Sequence, residues 1–181
     1  MHKPFGYLCQ FKCELSKKKL AGNLYPFAEG TMSIGRLDED SEGLLLLTTD
    51  GKMSESVRSK SVEKEYYAQV DGQTSAEALL NLSKGVEISH RSIIYRTLPC
   101  KVFKLETEPD FLPRARKIRD DRHGPTTWIS ITINEGKYRQ VRKMCAVAGF
   151  PVLRLVRVRI GKIKLGNLQA GEVIETEVLD F

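Results

Sequence analysis

Four cysteines, three histidines and one tryptophan are few in a chain of 181 residues, and none of the cysteines or histidines falls into a ligand-like spacing. Cys9, Cys13, Cys100 and Cys145 form no C-x-x-C pair, and Cys9 and Cys13 have only His2 nearby, a poor zinc set. Reduced thiols, buried or partly so, are the expectation, as in a reducing compartment, and no metal is expected. No apolar run approaches the ~18 residues of a membrane span, and Leu44 to Leu47 is too short for a signal-peptide core. The chain therefore reads as soluble and cytoplasmic. The G-x-S-x-G elbow, the Walker loop, H-E-x-x-H and G-x-G-x-x-G are all missing, and His2, His90 and His123 anchor no triad. No cofactor is expected. Hydrophobic residues at 41% and charged ones at 29% are ordinary for a globular chain of one domain, or of two subdomains sharing a core.

The least evenly distributed feature is negative charge. From Gly136 to Gly171 there is no Asp or Glu, while Lys137, Arg139, Arg142, Lys143, Arg154, Arg157, Arg159, Lys162 and Lys164 all lie there. A surface kept merely soluble mixes its signs. This segment, with a net charge of +6, points to a polyanionic partner, RNA or DNA.

Elements alternate along the chain. Phe5 to Phe11 reads as an opening strand, followed by a polar stretch from Cys13 to Gly30. Met32 to Leu37 and Gly43 to Thr48 read as strands, the second buried. Asp50-Gly51 marks a turn into a short helix through Arg58. Tyr66 to Val70 is strand-like, Ser75 is an N-cap for a helix through Lys84, and Gly85 ends that helix. Ile93 to Leu105 has strand character interrupted near Pro99, Glu108 to Pro125 is a loop, and Trp128 to Ile133 alternates as a strand. In Tyr138 to Ala148, Val141, Met144, Cys145 and Ala148 form a helical stripe stopped by Gly149 and Pro151. Val156 to Ile160 alternates, with Arg157 and Arg159 opposite the apolar face. The class is α+β, with a mixed, mainly antiparallel sheet and flanking helices.

Chemistry concentrates in Gly35-Arg36-Leu37-Asp38-Glu39-Asp40-Ser41-Glu42-Gly43, an acidic loop between apolar strands. Pattern alone leaves a solvated acidic turn open. Asp38, nearest the buried edge, needs a cation or several donors to stay ionised, and Arg142, beside the helical stripe, is a candidate cation. Tyr66 and Tyr67 face opposite ways, so only one can stack on an unstacked base.

The sequence resembles the RsuA-like pseudouridine synthases over nearly its whole length. Within them the branch acting on large-subunit 23S rRNA is most similar, through Glu108-Pro109 to Pro125-Thr126-Thr127-Trp128 and Gly149-Phe150-Pro151. His2-Lys3-Pro4-Phe5-Gly6 is similar to the opening Asn-Lys-Pro-x-Gly motif, with His2 in place of Asn. Gly35 to Leu45 resembles the signature loop, Lys64-Glu65-Tyr66 the Lys-x-Tyr motif, and Glu135 to Met144 the third motif. The resemblance implies the pseudouridine synthase fold over 1–181, as one catalytic domain or two subdomains flanking an RNA-binding cleft, without an N-terminal S4-type domain. It implies Asp38 as the catalytic carboxylate, Tyr66 stacking on the target base and Arg142 as the partner of Asp38. Arg36, Lys64, Lys137, Arg139, Gln140, Val141, Lys143, Arg157 and Arg159 are the expected RNA- and substrate-contacting residues. The implied reaction flips a uridine from ribosomal RNA and rejoins its base through C5, in a monomer acting on 23S rRNA or a large-subunit assembly intermediate. Small-subunit rRNA or tRNA as target, and a non-catalytic rRNA-binding assembly factor, stand as alternatives.

Overall fold

The computed structural model describes residues 1–12, 17–59, 62–114, 116–118 and 121–177. Its strands are β1 (His2–Lys3), β2 (Tyr7–Leu8), β3 (Lys19–Leu20), β4 (Met32–Ile34), β5 (Glu42–Leu44), β6 (Leu46–Thr48), β7 (Lys64–Asp71), β8 (Glu87–His90), β9 (Ile93–Arg96), β10 (Lys101–Lys104), β11 (Thr126–Ile133), β12 (Val152–Ile160) and β13 (Ile163–Lys164). The helices are α1 (Gly51–Ser59), α2 (Ala76–Ser83) and α3 (Gln140–Val147). The class is α+β, and most strand pairs are antiparallel. The chain folds into two compact units: 1–62 with 114–116 and 156–181, and 63–113 with 117–155.

In the first unit β5 lies between β1, antiparallel to it, and the second half of β12, parallel to it. The long apolar run does not make one strand. Leu45, fully buried, breaks it: β5 pairs with β1 and β12, while β6 pairs antiparallel with β4. The expected strand from Met32 stops at Ile34, because Gly35 takes φ 73°. The opening strand is likewise split, because Gly6 turns at φ 82° between β1 and β2. The core gathers Ile34, Leu37, Leu44, Leu46, Val156 and Ile160. Cys13 lies outside the described residues.

In the second unit β7 and β11 pair along all eight residues, from Lys64 opposite Ile133 to Asp71 opposite Thr126, and β10 pairs with the other edge of β11. Ser75 caps α2 as expected, its Oγ accepting from the Ala78 amide at 3.1 Å, and Gly85 follows the helix at φ 84°. The helix α3 begins two residues after the expected Tyr138, because Arg139 sits left-handed at φ 53°, and Val141, Met144 and Cys145 of the stripe lie within it. Alternation in β11 does not become alternating exposure: Thr127 to Ile133 are all buried. Phe111, in the 105–113 loop, packs its ring 5.9 Å from Trp128 and 6.3 Å from Tyr67, covering that face. A strand absent from the sequence reading, β8, pairs with β9 as a separate hairpin.

Gly43 shows how tightly the first unit is built. It has φ 105°, and a Cβ there would press into the Arg157 carbonyl oxygen and lie 2.6 Å from the Arg157 nitrogen. Gly35, also left-handed, has open space around the same position. We expect Gly43→Ala to cost about 4 kcal/mol and Gly35→Ala about 1 kcal/mol in urea unfolding. Equal costs would mean that backbone conformation alone, rather than the approach of β12, selects glycine at position 43.

Candidate active site

Asp38 lies in the first unit, Tyr66 and Arg142 in the second. The loop that carries Asp38 is fastened from several sides by buried groups. Ser41 closes a turn by donating its amide to the Asp38 carbonyl at 3.0 Å. The Cys9 sulfur accepts from the Leu37 amide at 3.1 Å and donates to the Leu37 carbonyl at 3.2 Å. Gly6 donates its amide to the Glu39 carbonyl, and the Glu39 side chain pairs with Lys18 at 3.0 Å on the exposed side. Asp38 itself is half-buried and Arg36 is exposed.

Two buried cations complete the frame. Lys3, fully buried, donates its ammonium to the carbonyls of Pro4 at 2.9 Å, Tyr7 at 2.7 Å and Glu39 at 3.4 Å. Burial pulls its pKa down to about 8, against the opposing fields of Cys9, Glu42, Asp40 and Asp38. Arg157 corrects an expectation. It does not stand on an open RNA-facing surface; it is 3% exposed. Its Nε donates to the Leu44 carbonyl at 2.8 Å and one Nη to the Arg36 carbonyl at 3.3 Å, which ties together the two ends of the Asp38 loop. Its other Nη is buried without a hydrogen-bond partner among the described residues. Arg159, half-buried, donates to the Gly161 carbonyl at 2.8 Å.

In the second unit Tyr66 is buried on β7, opposite Ile131, while Tyr67 turns to the other face against Phe111. Lys64, two residues earlier, is half-buried. On α3, Val141 is buried with Met144 and Cys145, and Arg142 is half-buried, an Nη donating to the Val152 carbonyl at 3.3 Å. Gln140, expected to reach RNA, is 3% exposed. Its amide nitrogen donates to Glu135 and its oxygen accepts from the Lys137 amide at 2.9 Å, so it fastens the turn into α3. Lys137 holds its ammonium 4.7 Å from the centre of the Tyr95 ring, Lys143 donates to the Ser89 carbonyl at 2.7 Å, and Arg139 is half-buried.

The thiols are not built as nucleophiles. Burial pushes Cys100 up to about 11 and Cys145 up to about 12, which keeps both as neutral thiols at neutral pH. Among the described residues no cluster of His, Cys, Asp or Glu is placed to hold a metal, and no helix is long and apolar enough to cross a membrane. Sequence reasoning missed the anchoring by Lys3, Cys9 and Arg157. A lysine beside Pro4 in an otherwise aromatic run was the available signal for the first of these.

Lys3 makes stability depend on pH in a definite direction. With its native pKa below the unfolded value of 10.5, the unfolded chain binds more protons between pH 8 and 10.5. Lys3 therefore costs stability below pH 8, and that cost is relieved as pH rises through the window. Relative to Lys3→Met, the wild type should gain about 2 kcal/mol between pH 8 and pH 10 by urea unfolding. A difference that stays flat over this range would mean that the ammonium is not desolvated. Separately, Arg157→Met should lower stability by about 3 kcal/mol, because it leaves the Arg36 and Leu44 carbonyls without their charged donor. A thermal midpoint equal to wild type would contradict that.

Comparison with known proteins identifies the family. Residues 1–147 match the family model described as RNA pseudouridylate synthase. The chain is 42% identical over 180 residues to "Ribosomal large subunit pseudouridine synthase E" of Vibrio parahaemolyticus, covering 98% of this chain and 72% of that protein. It is 37% identical to the protein of the same name from Xanthomonas campestris, covering 95% of this chain and 91% of that one. A solved pseudouridylate synthase superposes with a TM-score of 0.73 at 29% identity, over 95% of this chain and 66% of its own. A family match over residues 1–147, with relatives above one third identity along nearly the full length, places the chain in the RNA pseudouridylate synthase family.

Proposed function

We propose that the protein isomerises a specific uridine of large-subunit 23S ribosomal RNA to pseudouridine, with Asp38 as the catalytic carboxylate. The observation that carries the reading is the Asp38 loop, whose main chain is held at Arg36, Leu37, Glu39 and Leu44 by buried donors, so that its carboxylate is presented from a fixed backbone. The names of the relatives support ribosomal RNA of the large subunit as substrate.

The chemistry needs little else. The target nucleotide leaves its stack, and Tyr66 stacks on the extruded base. The Asp38 carboxylate, with Arg142 as its cationic partner, promotes cleavage of the bond between the ribose C1′ and N1. The uracil turns, C5 bonds to C1′, the proton on C5 leaves to solvent and N1 takes up a proton. Atoms balance without an oxidant, a reductant or a phosphate donor. Asp38 serves either by attacking carbon or by removing a ribose proton, and both roles require the carboxylate. Arg36, exposed beside the loop, and Lys64, Arg139 and Lys143 of the second unit supply contacts to the RNA backbone. The protein acts as a monomer in the cytoplasm.

Purified protein given 5-tritiated uridine in rRNA should release tritium, since the hydrogen on C5 is lost when C5 becomes the glycosidic carbon. Asp38→Asn should lower release by at least a thousandfold while rRNA binding stays within about threefold. Equal loss of both would make Asp38 structural. No release by wild type from rRNA, ribosomal subunits or tRNA would instead favour a non-catalytic assembly factor.

A further inference from the structure

The β8–β9 hairpin takes no part in the chemistry just described, yet its tip is built against ordinary preference. The strands pair His90 with Ile93, which leaves a two-residue turn of Arg91 and Ser92. Both have positive φ, 52° and 63°. That is the pattern of a type I′ turn, which Asn-Gly adopts with little strain and Arg-Ser does not. Strain of this kind persists where the residue itself is needed. Immediately after it, Ile93 is 69% and Ile94 74% exposed. Consecutive strand residues face opposite ways, so two exposed neighbours mean that the tip stands clear of its unit on both faces.

The base of the hairpin is fixed by contrast. Ile88 is buried and pairs with Tyr95, whose hydroxyl donates to Glu135 and whose ring lies under Lys137. Lys143 donates to the Ser89 carbonyl at 2.7 Å, tying the hairpin to α3. The charges that act on His90, beside the turn, are all positive. Burial first, then the fields of Arg91, Lys137 and Lys143, hold the His90 imidazole below its ordinary pKa.

We infer that the β8–β9 hairpin is a second RNA-contacting element, with Arg91 on a phosphate and Ile93 and Ile94 wedged against the bases or sugars of RNA flanking the target uridine. The inference rests on the RNA-modifying reading for the identity of its partner. Two isoleucines offer far less than the ~800 Å² that each side of a stable protein interface contributes. RNA binding draws its affinity from phosphates, and an apolar wedge then needs only a few side chains.

The full chain is compared with Arg91→Asn/Ser92→Gly and with Ile93→Ser/Ile94→Ser. Filter binding to rRNA and to ribosomal subunits is measured across a salt series, alongside tritium release and thermal melting. The turn variant should melt a few degrees higher than wild type, bind several-fold more weakly and lose about one from the slope of log K against log salt. The isoleucine variant should melt within two degrees of wild type and raise KM about tenfold, with kcat held within twofold. Wild-type binding and KM in both variants would overturn the inference, whatever their melting. Wild-type binding without tritium release would sink the synthase reading alone, because the binding arm still decides the hairpin. Absence of rRNA and subunit binding by wild type would overturn the hairpin assignment itself.

Discussion

Capture of backbone carbonyls by buried cations is the constraint on which the first unit depends. The Asp38 loop carries Asp38, Glu39, Asp40 and Glu42 within five residues, and such a run repels itself and favours an open, solvated turn. Burying an ammonium or a guanidinium costs several kcal/mol, so neither Lys3 nor Arg157 is a cheap way to fill space. Both are nevertheless in the interior, and among the described residues every hydrogen bond they make goes to a main-chain oxygen. The cations screen the acids from within, and their donors fix the loop's path at carbonyls rather than at the carboxylates. The loop is thus held through its backbone, whatever its side chains contact.

The same constraint accounts for Gly43. Arg157 can reach the Leu44 and Arg36 carbonyls only if β12 runs close to β5, and at that separation there is no room for a Cβ facing the Arg157 main chain. The glycine therefore follows from the position of the guanidinium. Cys9 works in a similar way: its sulfur answers both the amide and the carbonyl of Leu37, at the only stretch of the loop where a buried leucine leaves no polar side chain to do so. A cysteine with no metal-ligand spacing is thus part of the support of the Asp38 loop.

What was legible in the sequence were the features set by local rules. The Ser75 cap, the stop after α2, the opposite facing of Tyr66 and Tyr67 and the apolar stripe of α3 all depend on spacing and short-range hydrogen bonds. What was not legible depends on distant chain. Alternation placed Arg157 outside because a strand with one solvated face would put it there, but the carbonyls that hold it come from residues more than a hundred positions earlier. The two-faced burial of β11 needs Phe111, whose loop has no pattern of its own. The apolar run Leu44–Leu47 carries no sign of the switch at Leu45, which exists because two different strands claim its ends. The β8–β9 turn escaped because Arg-Ser is not a turn signal at all.

The segment from Gly136 to Gly171 is free of acids for a related physical reason. As sequence it resembles one continuous cationic face. In the structure its cations divide by task. Arg157 is interior, and Arg154, 7% exposed, donates to the Leu112 carbonyl while its guanidinium stacks on Phe111. Lys137 lies on Tyr95, while Lys162 and Lys164 are exposed. An absence of acids serves both groups for one reason. Near a buried arginine committed to carbonyls, a carboxylate would compete for its donors. Near an exposed lysine, a carboxylate would cancel the charge offered to a polyanion. The segment holds both the buried cations that support the candidate site and exposed lysines open to solvent, and charge counting along the chain cannot separate the two.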